Sequence, residues 1–405
     1  MSSTLTWIDH DSEARERALR ILTLFQERES RDELGLGAVR DSLADLLFPG
    51  TSTLHTRLRY MLFVPWIYAD LESKGLKQPA FGREADRTER ALVDPLVSSG
   101  DNAGVFGRTA GHALKRLPSS AYWAGLGAWG IRLTRYSQTE YRERIAETYE
   151  RRASLAERRN SHRVRGDDLE PHDIMEVHNW HPRLPALPEG FPETVSLALT
   201  RDEANFVQDR IQAECGGSLL AHLALLQEPT ECGAPWEHPA YASFTGAHVE
   251  LLTHARNVSD LMHGAALSYN FQLAQRKLLD ERKDEYQARF EKWAAELRIA
   301  DLRDWSLDRL WKLTSATSHR VSQRTKYFVE EWRRRTTSSP GTLLTDESAK
   351  MLVRLREKHL KGPRSRFTNS RALDQWSGAS GGGRLTDRCP NVQRLLHDLY
   401  DGLQR

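Results

Sequence analysis

Apolar residues recur every three or four positions along most of this 405-residue chain, whereas the alternating pattern of a strand is seldom found. The longest such run, residues 246–336, places leucines at helical spacing between charged residues. A chain of this length is expected to bury two or three hydrophobic cores. The sequence therefore predicts a mainly α, multi-helical fold with two or three helical subdomains.

Proline and glycine clusters divide this helical pattern. The stretch HNWHPRLPALPEGFPE at 178–193 has the composition of an extended connection, and beyond it Thr200 and Glu203 have the spacing of a capping box. We predict the following order along the chain: an N-terminal helical domain at 1–165, a Pro-rich linker at 166–195, a helical domain at 196–336, and a basic C-terminal region at 337–405 that ends in a helix.

Two helix-turn-helix-like units are predicted in the N-terminal domain. In the first, Asp32 or a neighbour caps a helix that stops at Phe48-Pro49-Gly50, because the residue before proline disfavours helix and glycine accepts a left-handed turn. One of the hydroxyl residues at 51–53 then caps the next helix. In the second unit, a helix at 107–117 is followed by a helix restart at Pro118-Ser119-Ser120.

Cysteine usage and the N-terminus favour a cytoplasmic protein. Cys215, Cys232 and Cys389 are too few for a disulfide framework, and with the nearby histidines they match no common zinc-finger spacing. The first residues, MSSTLTWIDHDSEARER, lack the basic and then apolar pattern of a secretory signal. No run approaches the roughly 18 apolar residues of a membrane span, so we expect no membrane partner.

Known catalytic motifs are absent or out of context. The chain has no GxxxxGK[ST], HExxH or paired CxxC motif, which are the commonest nucleotide and zinc signatures. Gly378-Ala-Ser380-Gly-Gly382 matches GxSxG, but a nucleophile elbow needs a strand before its serine, and here the flanks are loop. Glu281-Arg-Lys283 matches half of a nuclease metal site but lies in a helical pattern. We therefore predict no catalytic residue, metal site or cofactor, and the balance is against an enzyme.

The net charge of +2 conceals two oppositely charged segments. Residues 167–260 contain 16 acidic and 4 basic side chains, a balance of −12, whereas residues 320–371 contain 14 basic and 5 acidic side chains, a balance of +9. Arginine supplies 47 of the 58 basic residues and suits bidentate phosphate contacts, although a GC-rich genome would also enrich it. The split predicts either a polyanion-binding face or docking between the two segments.

Two kinds of segment suit phosphate contacts. Residues 361–371 mix arginine with small hydrogen-bonding side chains in a loop, and the helix predicted to start at 51–53 offers free N–H groups at its positive end. We therefore predict DNA or RNA as a partner. The predicted contact residues are Thr51, Ser52, Thr53, Arg57, Arg59, Arg333, Arg334, Arg335, Lys361, Arg364, Arg366 and Arg371.

Four stretches together resemble a bacterial protein family catalogued as a domain of unknown function: RDELGLGAVRDSLADLLFPGTSTLHTRLRYMLFVPW, KRLPSSAYWAGLGAWGIR, HGAALSYNFQLA and LKGPRSRFTNSRALDQWSGASGGGRL. The resemblance spans nearly the whole chain, which implies one architectural unit, and it implies no catalytic residues. Similar proteins are often found in bacterial mobile or antiviral-defence regions, beside helicases and phospholipase D-like proteins. The resemblance thus implies a defence setting, although genomic neighbourhood is not mechanism.

Three functions are compatible with these patterns. The first is a non-enzymatic nucleic-acid-binding or scaffold subunit of a bacterial antiviral-defence system. The second is a protein–protein adaptor whose acidic segment, 167–260, docks a helicase or nuclease. The third is a divalent-metal-dependent nuclease of unrecognised type that uses Asp260, Asp280 or Glu281.

Overall fold

A computed structural model describes residues 32–163 and 178–405, and its regular secondary structure is helical. Within these ranges the only strand-like pairing is an isolated antiparallel bridge between Arg132 and Trp180. The mainly α, multi-helical prediction is therefore confirmed. In the same ranges, no helix combines the length and the apolar character needed to cross a membrane.

In chain order the described helices are α1 (Gly37–Leu47), α2 (Tyr60–Ser73), α3 (Ala80–Ala91), α4 (Val93–Ser98), α5 (Pro118–Ala128), α6 (Gln138–Glu143), α7 (Ile145–Arg163), α8 (Arg201–Cys215), α9 (Leu219–Leu226), α10 (Gly246–Arg276), α11 (Asp280–Glu296), α12 (Ile299–Asp304), α13 (Leu307–Ser315), α14 (Gln323–Ser338), α15 (Glu347–Lys361), α16 (Ser370–Asp374) and α17 (Cys389–Gln404). Short 3-10 turns lie between several of them.

The chain forms two compact units, each built from segments that are distant in sequence. One unit, here the 250–387 unit, consists of Met1–Leu43 and Glu250–Asp387, and the other, the 44–249 unit, consists of Ala44–Val249 and Arg388–Arg405. The domain boundaries predicted at 165, 195 and 336 followed local composition and stay predictions. Residues 166–177 of the predicted linker lie outside the described residues.

The core of the 44–249 unit surrounds α2, whose residues from Tyr60 to Tyr68 are all buried. Helix α2 packs against α3 and α5 because almost every side of it is apolar. Aromatic rings from five segments, α2 among them, meet around Tyr68, with ring centroids 5.2–6.1 Å apart, in the edge-on and tilted arrangements that aromatic rings prefer. These rings are Tyr68, Phe81, Trp123, Tyr141 and Trp180.

The C-terminal helix α17 packs on α8 and α9 in the same unit. Gly402 permits this approach, since a Cβ atom there would lie 2.8 Å from that of Ala204. The hydroxyl of Tyr400 donates to the carbonyl of Leu223 at 2.6 Å. The predicted capping box opens α8: Thr200 Oγ1 accepts from the N–H of Glu203 at 3.3 Å, and the Glu203 carboxylate accepts from the N–H of Thr200 at 3.0 Å.

In the 250–387 unit, α10 is the buried centre. Gly264 allows α11 to approach closely, because a Cβ atom there would lie 2.2 Å from the indole of Trp293. The indole N–H of Trp293 donates to the carbonyl of Asp260 at 2.7 Å, and that of Trp332 on α14 donates to the carbonyl of Leu261 at 3.0 Å. Two indoles thus fix α11 and α14 against the same stretch of α10.

The predicted start of α1 is confirmed. The carboxylate of Asp32 accepts from the N–H groups of Leu36 and Gly37 at 2.6 and 2.7 Å, which satisfies amides that the helix leaves open. The helix ends at Leu47, before the Phe-Pro-Gly turn in which Gly50 has φ +75°. The sequence predicted both the cap and the end of α1 because the residues responsible lie within a few positions of the helix.

The prediction of a helix at 107–117 was wrong. Its only helical turn is the 3-10 turn Gly111–Ala113. Gly107 and Gly111 adopt φ of +81° and +54°, a left-handed backbone that interrupts a continuous α-helix. The second predicted helix-turn-helix-like unit therefore lacks its first helix, whereas α5 begins at Pro118 as expected.

Candidate functional site

The segment between α1 and α2 does not contain the helix start predicted at 51–53. Helix α2 begins at Tyr60. Thr51 is buried, and its hydroxyl donates to the carbonyl of Phe48 at 2.7 Å, so it closes the preceding turn instead of capping a helix. Ser52 and Thr53 follow in an irregular turn. These three residues therefore do not present the amides of a helix N-terminus to an anion.

Arg57, a predicted phosphate contact, is engaged inside the 44–249 unit. Its Nε lies 3.0 Å from both carboxylate oxygens of Asp398, and Nη2 lies 2.7 Å from Oδ2 of Asp101. Burial favours a lower pKa for Arg57, but the bonds to the two carboxylates outweigh it and raise that pKa. With Nη1 on the carbonyl of Ala103 at 3.0 Å, this guanidinium joins the α1–α2 segment to α17.

Arg59 is held in the same way. Its Nη2 donates to Glu203 at 2.7 Å and its Nη1 to the carbonyl of Ser196 at 2.9 Å, and only 7% of the residue is exposed. The guanidinium carbon also lies 5.6 Å from the ring of Phe63 and 5.8 Å from that of Trp66. Arg59 thus supports packing between α2 and α8.

Arg333 hydrogen-bonds the C-terminal end of another helix, α12, in the 250–387 unit. Its Nε and Nη2 donate to the carbonyls of Leu302 and Arg303, each at 2.6 Å. These carbonyls belong to the last turn of α12, where a cation complements the helix dipole. Burial lowers the pKa of Arg333.

Arg334 and Arg335 share one carboxylate. Arg334 donates to Glu331 at 2.7 and 3.0 Å, and Arg335 donates to the same side chain one turn away on α14. Arg334 is exposed, whereas Arg335 is half-buried. This carboxylate reduces the positive charge that α14 presents.

Lys361 and Arg366 share a second carboxylate, that of Glu33. Lys361 forms an ion pair with Glu33, and Nη1 of Arg366 lies 2.9 Å from Oε1 of the same residue. Nη1 of Arg366 also donates to the hydroxyl of Tyr269 at 2.9 Å. Glu33 is only 5% exposed, and the two cations offset the cost of burying its negative charge.

Arg364 and Arg371 differ from the other predicted cationic contacts. Both are exposed, and neither guanidinium group forms a hydrogen bond or an ion pair with a described residue. They line an open cleft of about 440 Å³ in which no carboxylate lines the wall. The lining residues of this basic cleft are Lys361, Arg364, Arg366, Asn369, Arg371, Ala372 and Gln375.

The local sequence shapes the basic cleft. Helix α15 ends at Lys361, and Gly362 at φ +52° turns the chain away from the helix axis. The side chain of Asn369 then bridges the loop: its Nδ2 donates to the carbonyl of Pro363 at 2.9 Å, and its Oδ1 accepts from the N–H of Ala372 at 3.1 Å. One asparagine therefore both closes the loop and caps α16, which places the three arginines around one opening.

A second cleft in the 250–387 unit, of about 490 Å³, is also basic, but three of its four guanidinium groups converge on Asp260. Arg298 lies 3.1 Å from Oδ2 of Asp260, Arg384 donates to Oδ1, and Nε of Arg256 lies 3.8 Å from Oδ2. The carboxylate that the nuclease alternative invokes is thus surrounded by cations. Compared with the basic cleft, this opening has less positive charge left for an anion.

The motifs considered for catalysis lie in structural positions. The 378–382 loop is held by Asn270, which bonds the N–H and carbonyl of Ser380 at 3.0 and 2.8 Å, and its flanks are irregular. Asp280 and Glu281 lie in the first turn of α11. Within residues 32–163 and 178–405, no group of three or more histidine, cysteine, aspartate or glutamate side chains is placed to hold a metal ion.

Sequence reasoning missed three residues that organise the basic cleft. Glu33 pairs with two of its cations, and Glu357, fully buried, accepts from the Ser365 hydroxyl and from the N–H of Arg366 at 2.9 Å. Neither carboxylate has a local signal, because its partners are identified only by the fold. Asn369 could have been found, since asparagine before a short polar-apolar run is a typical N-cap.

The chain matches a known protein family. A model of a protein family described as a family of unknown function, DUF6361, matches residues 1–402. No curated protein and no solved structure matches the chain. The match extends over nearly the whole chain, as the resemblance carried by the four stretches predicted.

Proposed function

We propose that this chain, which belongs to the DUF6361 family of unknown function, is a non-enzymatic nucleic-acid-binding subunit that holds phosphate groups of DNA or RNA in the basic cleft. The observation that carries the proposal is the pair of exposed, uncompensated guanidinium groups of Arg364 and Arg371 beside the anchored cations Lys361 and Arg366. Guanidinium groups bind phosphate oxygens in a bidentate geometry.

The cleft suits a phosphate backbone better than a base edge. Its amide side chains, Asn369 and Gln375, add neutral donors next to the cations, which is the usual mixture around backbone phosphates. It is an open depression and no aromatic side chain lines it, so base stacking contributes little. Binding is therefore expected to be independent of sequence and to weaken steeply as salt replaces the released counterions.

Removal of the two unpaired arginines tests this function. The double variant Arg364→Ala/Arg371→Ala is expected to bind a fluorescent oligonucleotide roughly tenfold more weakly at about 50 mM salt, and to lower the slope of log K against log salt by about 2, because two phosphate contacts are lost. Fluorescence anisotropy titrations of single-stranded and duplex DNA and RNA at several salt concentrations measure both quantities.

A matched control separates the cleft from net charge. Arg87→Ala/Arg334→Ala removes the same charge from two exposed arginines outside the cleft, whose side chains are 77% and 66% exposed. This control is expected to bind nearly as the unchanged protein does. An equal loss in both double variants, or no binding of any DNA or RNA by the unchanged protein at low salt, would contradict the proposal.

The same proposal places the subunit in the cytoplasm of a bacterium, within an antiviral-defence assembly. It is supported by the resemblance to proteins found beside helicases and phospholipase D-like proteins. We expect a tagged chain, expressed from its own locus, to co-purify stoichiometrically with a helicase or nuclease after nuclease treatment of the extract. Recovery of the chain alone at physiological salt would argue against such an assembly and leave the oligonucleotide titrations as the test of binding itself.

A further inference from the structure

Two cysteines that are distant in sequence meet in the 44–249 unit. The Sγ atoms of Cys232 and Cys389 are 3.7 Å apart although the residues are separated by 157 positions. Cys232 lies in the loop before the 3-10 turn Pro235–Glu237, and Cys389 is the first residue of α17. The fold therefore brings a loop of the acidic segment and the start of the C-terminal helix together through two sulfur atoms.

The side chain of Gln393 donates hydrogen bonds to both sulfur atoms. The amide Nε2 of Gln393, one turn into α17, lies 2.8 Å from Sγ of Cys232 and 3.4 Å from Sγ of Cys389, and it also donates to the carbonyl of Cys232 at 3.0 Å. Donors directed at sulfur stabilise a thiolate. The hydrogen bond from Cys389, assisted by that from Gln393, lowers the pKa of Cys232 despite its partial burial.

The two sulfurs differ in access to solvent. Cys232 is half-buried and lines an open cleft of about 450 Å³ together with Gly233, Gln393, Arg394 and His397. Cys389 is 4% exposed and does not line that cleft. A reagent in the cleft therefore reaches Cys232 first, and Cys389 lies behind it within reach of the same sulfur.

We propose that Cys232 and Cys389 form a thiol–disulfide exchange site that reacts with low-molecular-weight disulfides. The Cys232 thiolate attacks one sulfur of the small disulfide, forms a mixed disulfide and releases one small thiolate. Cys389 then loses its proton to solvent and attacks Sγ of Cys232, which expels the second small thiolate. The two protein thiols are oxidised to one disulfide, and the small disulfide is reduced to two thiols.

The geometry is close to that of the product. An S–S bond is about 2.05 Å long, so the two sulfurs must approach each other by about 1.7 Å from their separation of 3.7 Å. The third cysteine is unsuited to this reaction, because burial raises the pKa of Cys215 to about 11 and keeps it as the unreactive thiol. The structure thus selects one pair among three thiols.

Oxidised glutathione is a suitable probe for the full chain. We expect millimolar oxidised glutathione to reduce the number of titratable thiols in the denatured protein from three to one, since the chain contains three cysteines, and peptide mapping to recover a Cys232–Cys389 disulfide. Because the bond closes a long loop, the melting temperature is expected to rise by about 5 °C, and dithiothreitol should reverse the rise.

Three variants make the outcome specific. Cys215→Ser should behave as the unchanged protein apart from the thiol count, Cys389→Ser should accumulate the glutathione adduct on Cys232, and Cys232→Ser should react slowly. A stable adduct on Cys232 in the unchanged protein without an internal disulfide would overturn the proposal. Preferential oxidation of Cys215 in protein that retains its native circular dichroism would overturn it as well.

Discussion

Replacing Asp398 with alanine is expected to lower the free energy of unfolding by about 3–5 kcal/mol, because it leaves the buried guanidinium of Arg57 with only the exposed carboxylate of Asp101. Asp398 is 8% exposed and accepts both Nε bonds of Arg57 at 3.0 Å, as well as the N–H of Leu58 at 2.8 Å. Urea unfolding followed by tryptophan fluorescence measures the loss.

Asp101 provides the matched control for this prediction. It bonds the same guanidinium at 2.7 Å, but its side chain is 58% exposed. Exposed ion pairs contribute about 0–1 kcal/mol, so Asp101→Ala should have a small effect. The double variant Arg57→Leu/Asp398→Leu should recover most of the stability that Asp398→Ala loses, since no buried charge is left unpaired. Similar losses for Asp101→Ala and Asp398→Ala would contradict the assignment of a buried pair.

The same variants separate structure from binding at Arg57. If Arg57 acts only through Asp398 and Asp101, variants that remain folded at low temperature should bind oligonucleotides with the affinity and salt slope of the unchanged protein. A lower salt slope for Arg57→Leu/Asp398→Leu would instead return Arg57 to the phosphate contacts that its sequence context predicts.

Local signals in the sequence were sufficient for part of the fold. The cap at Asp32 and the capping box at Thr200 depend on residues within five positions, so the sequence contains all the partners involved. The predictions at 51–53 and 107–117 were wrong because the local sequence there permits more than one conformation. A threonine hydroxyl can cap a helix or close a turn, and glycine can adopt a left-handed backbone. Packing with the rest of the fold decides which conformation forms.

At the candidate site, the sequence alone could not predict which arginines remain exposed. Arg364 and Arg366 are two positions apart in one loop and contribute equally to its charge. The fold separates them, because Arg366 meets Glu33, whereas Arg364 remains exposed. The positive balance over 320–371 therefore overestimates the charge that this segment leaves exposed and unpaired. The thiol pair was missed for the same reason, since no local pattern joins Cys232 to Cys389.

Replacing Glu33 with glutamine is expected to weaken the fold and strengthen binding at once. Glutamine has nearly the same shape but no charge, so Lys361 and Arg366 lose the carboxylate that they share. We expect the free energy of unfolding to fall by about 3 kcal/mol, because Arg366 is buried and keeps only its bond to Tyr269. Urea unfolding of the variant measures this part of the effect.

The gain in binding follows from the same change in charge. With Glu33 neutral, its carboxylate no longer competes with phosphate for Lys361 and Arg366, and the affinity for an oligonucleotide is expected to rise roughly tenfold at about 100 mM salt, with a salt slope steeper by about 1 or 2. Anisotropy titrations below the unfolding temperature measure both. A substitution that destabilises a protein ordinarily weakens its binding as well. A lower free energy of unfolding together with a higher oligonucleotide affinity would therefore indicate that the cleft itself binds the oligonucleotide.

Glu331→Gln is the control that distinguishes the two basic segments. It removes the same charge and likewise releases two arginines, Arg334 and Arg335, which lie on α14 outside the basic cleft. If phosphate binds in the cleft, Glu33→Gln raises the affinity and Glu331→Gln changes it little. Because the two variants are equal in net charge, the reverse result would move the nucleic-acid contact to α14 and refute the basic cleft as the binding site.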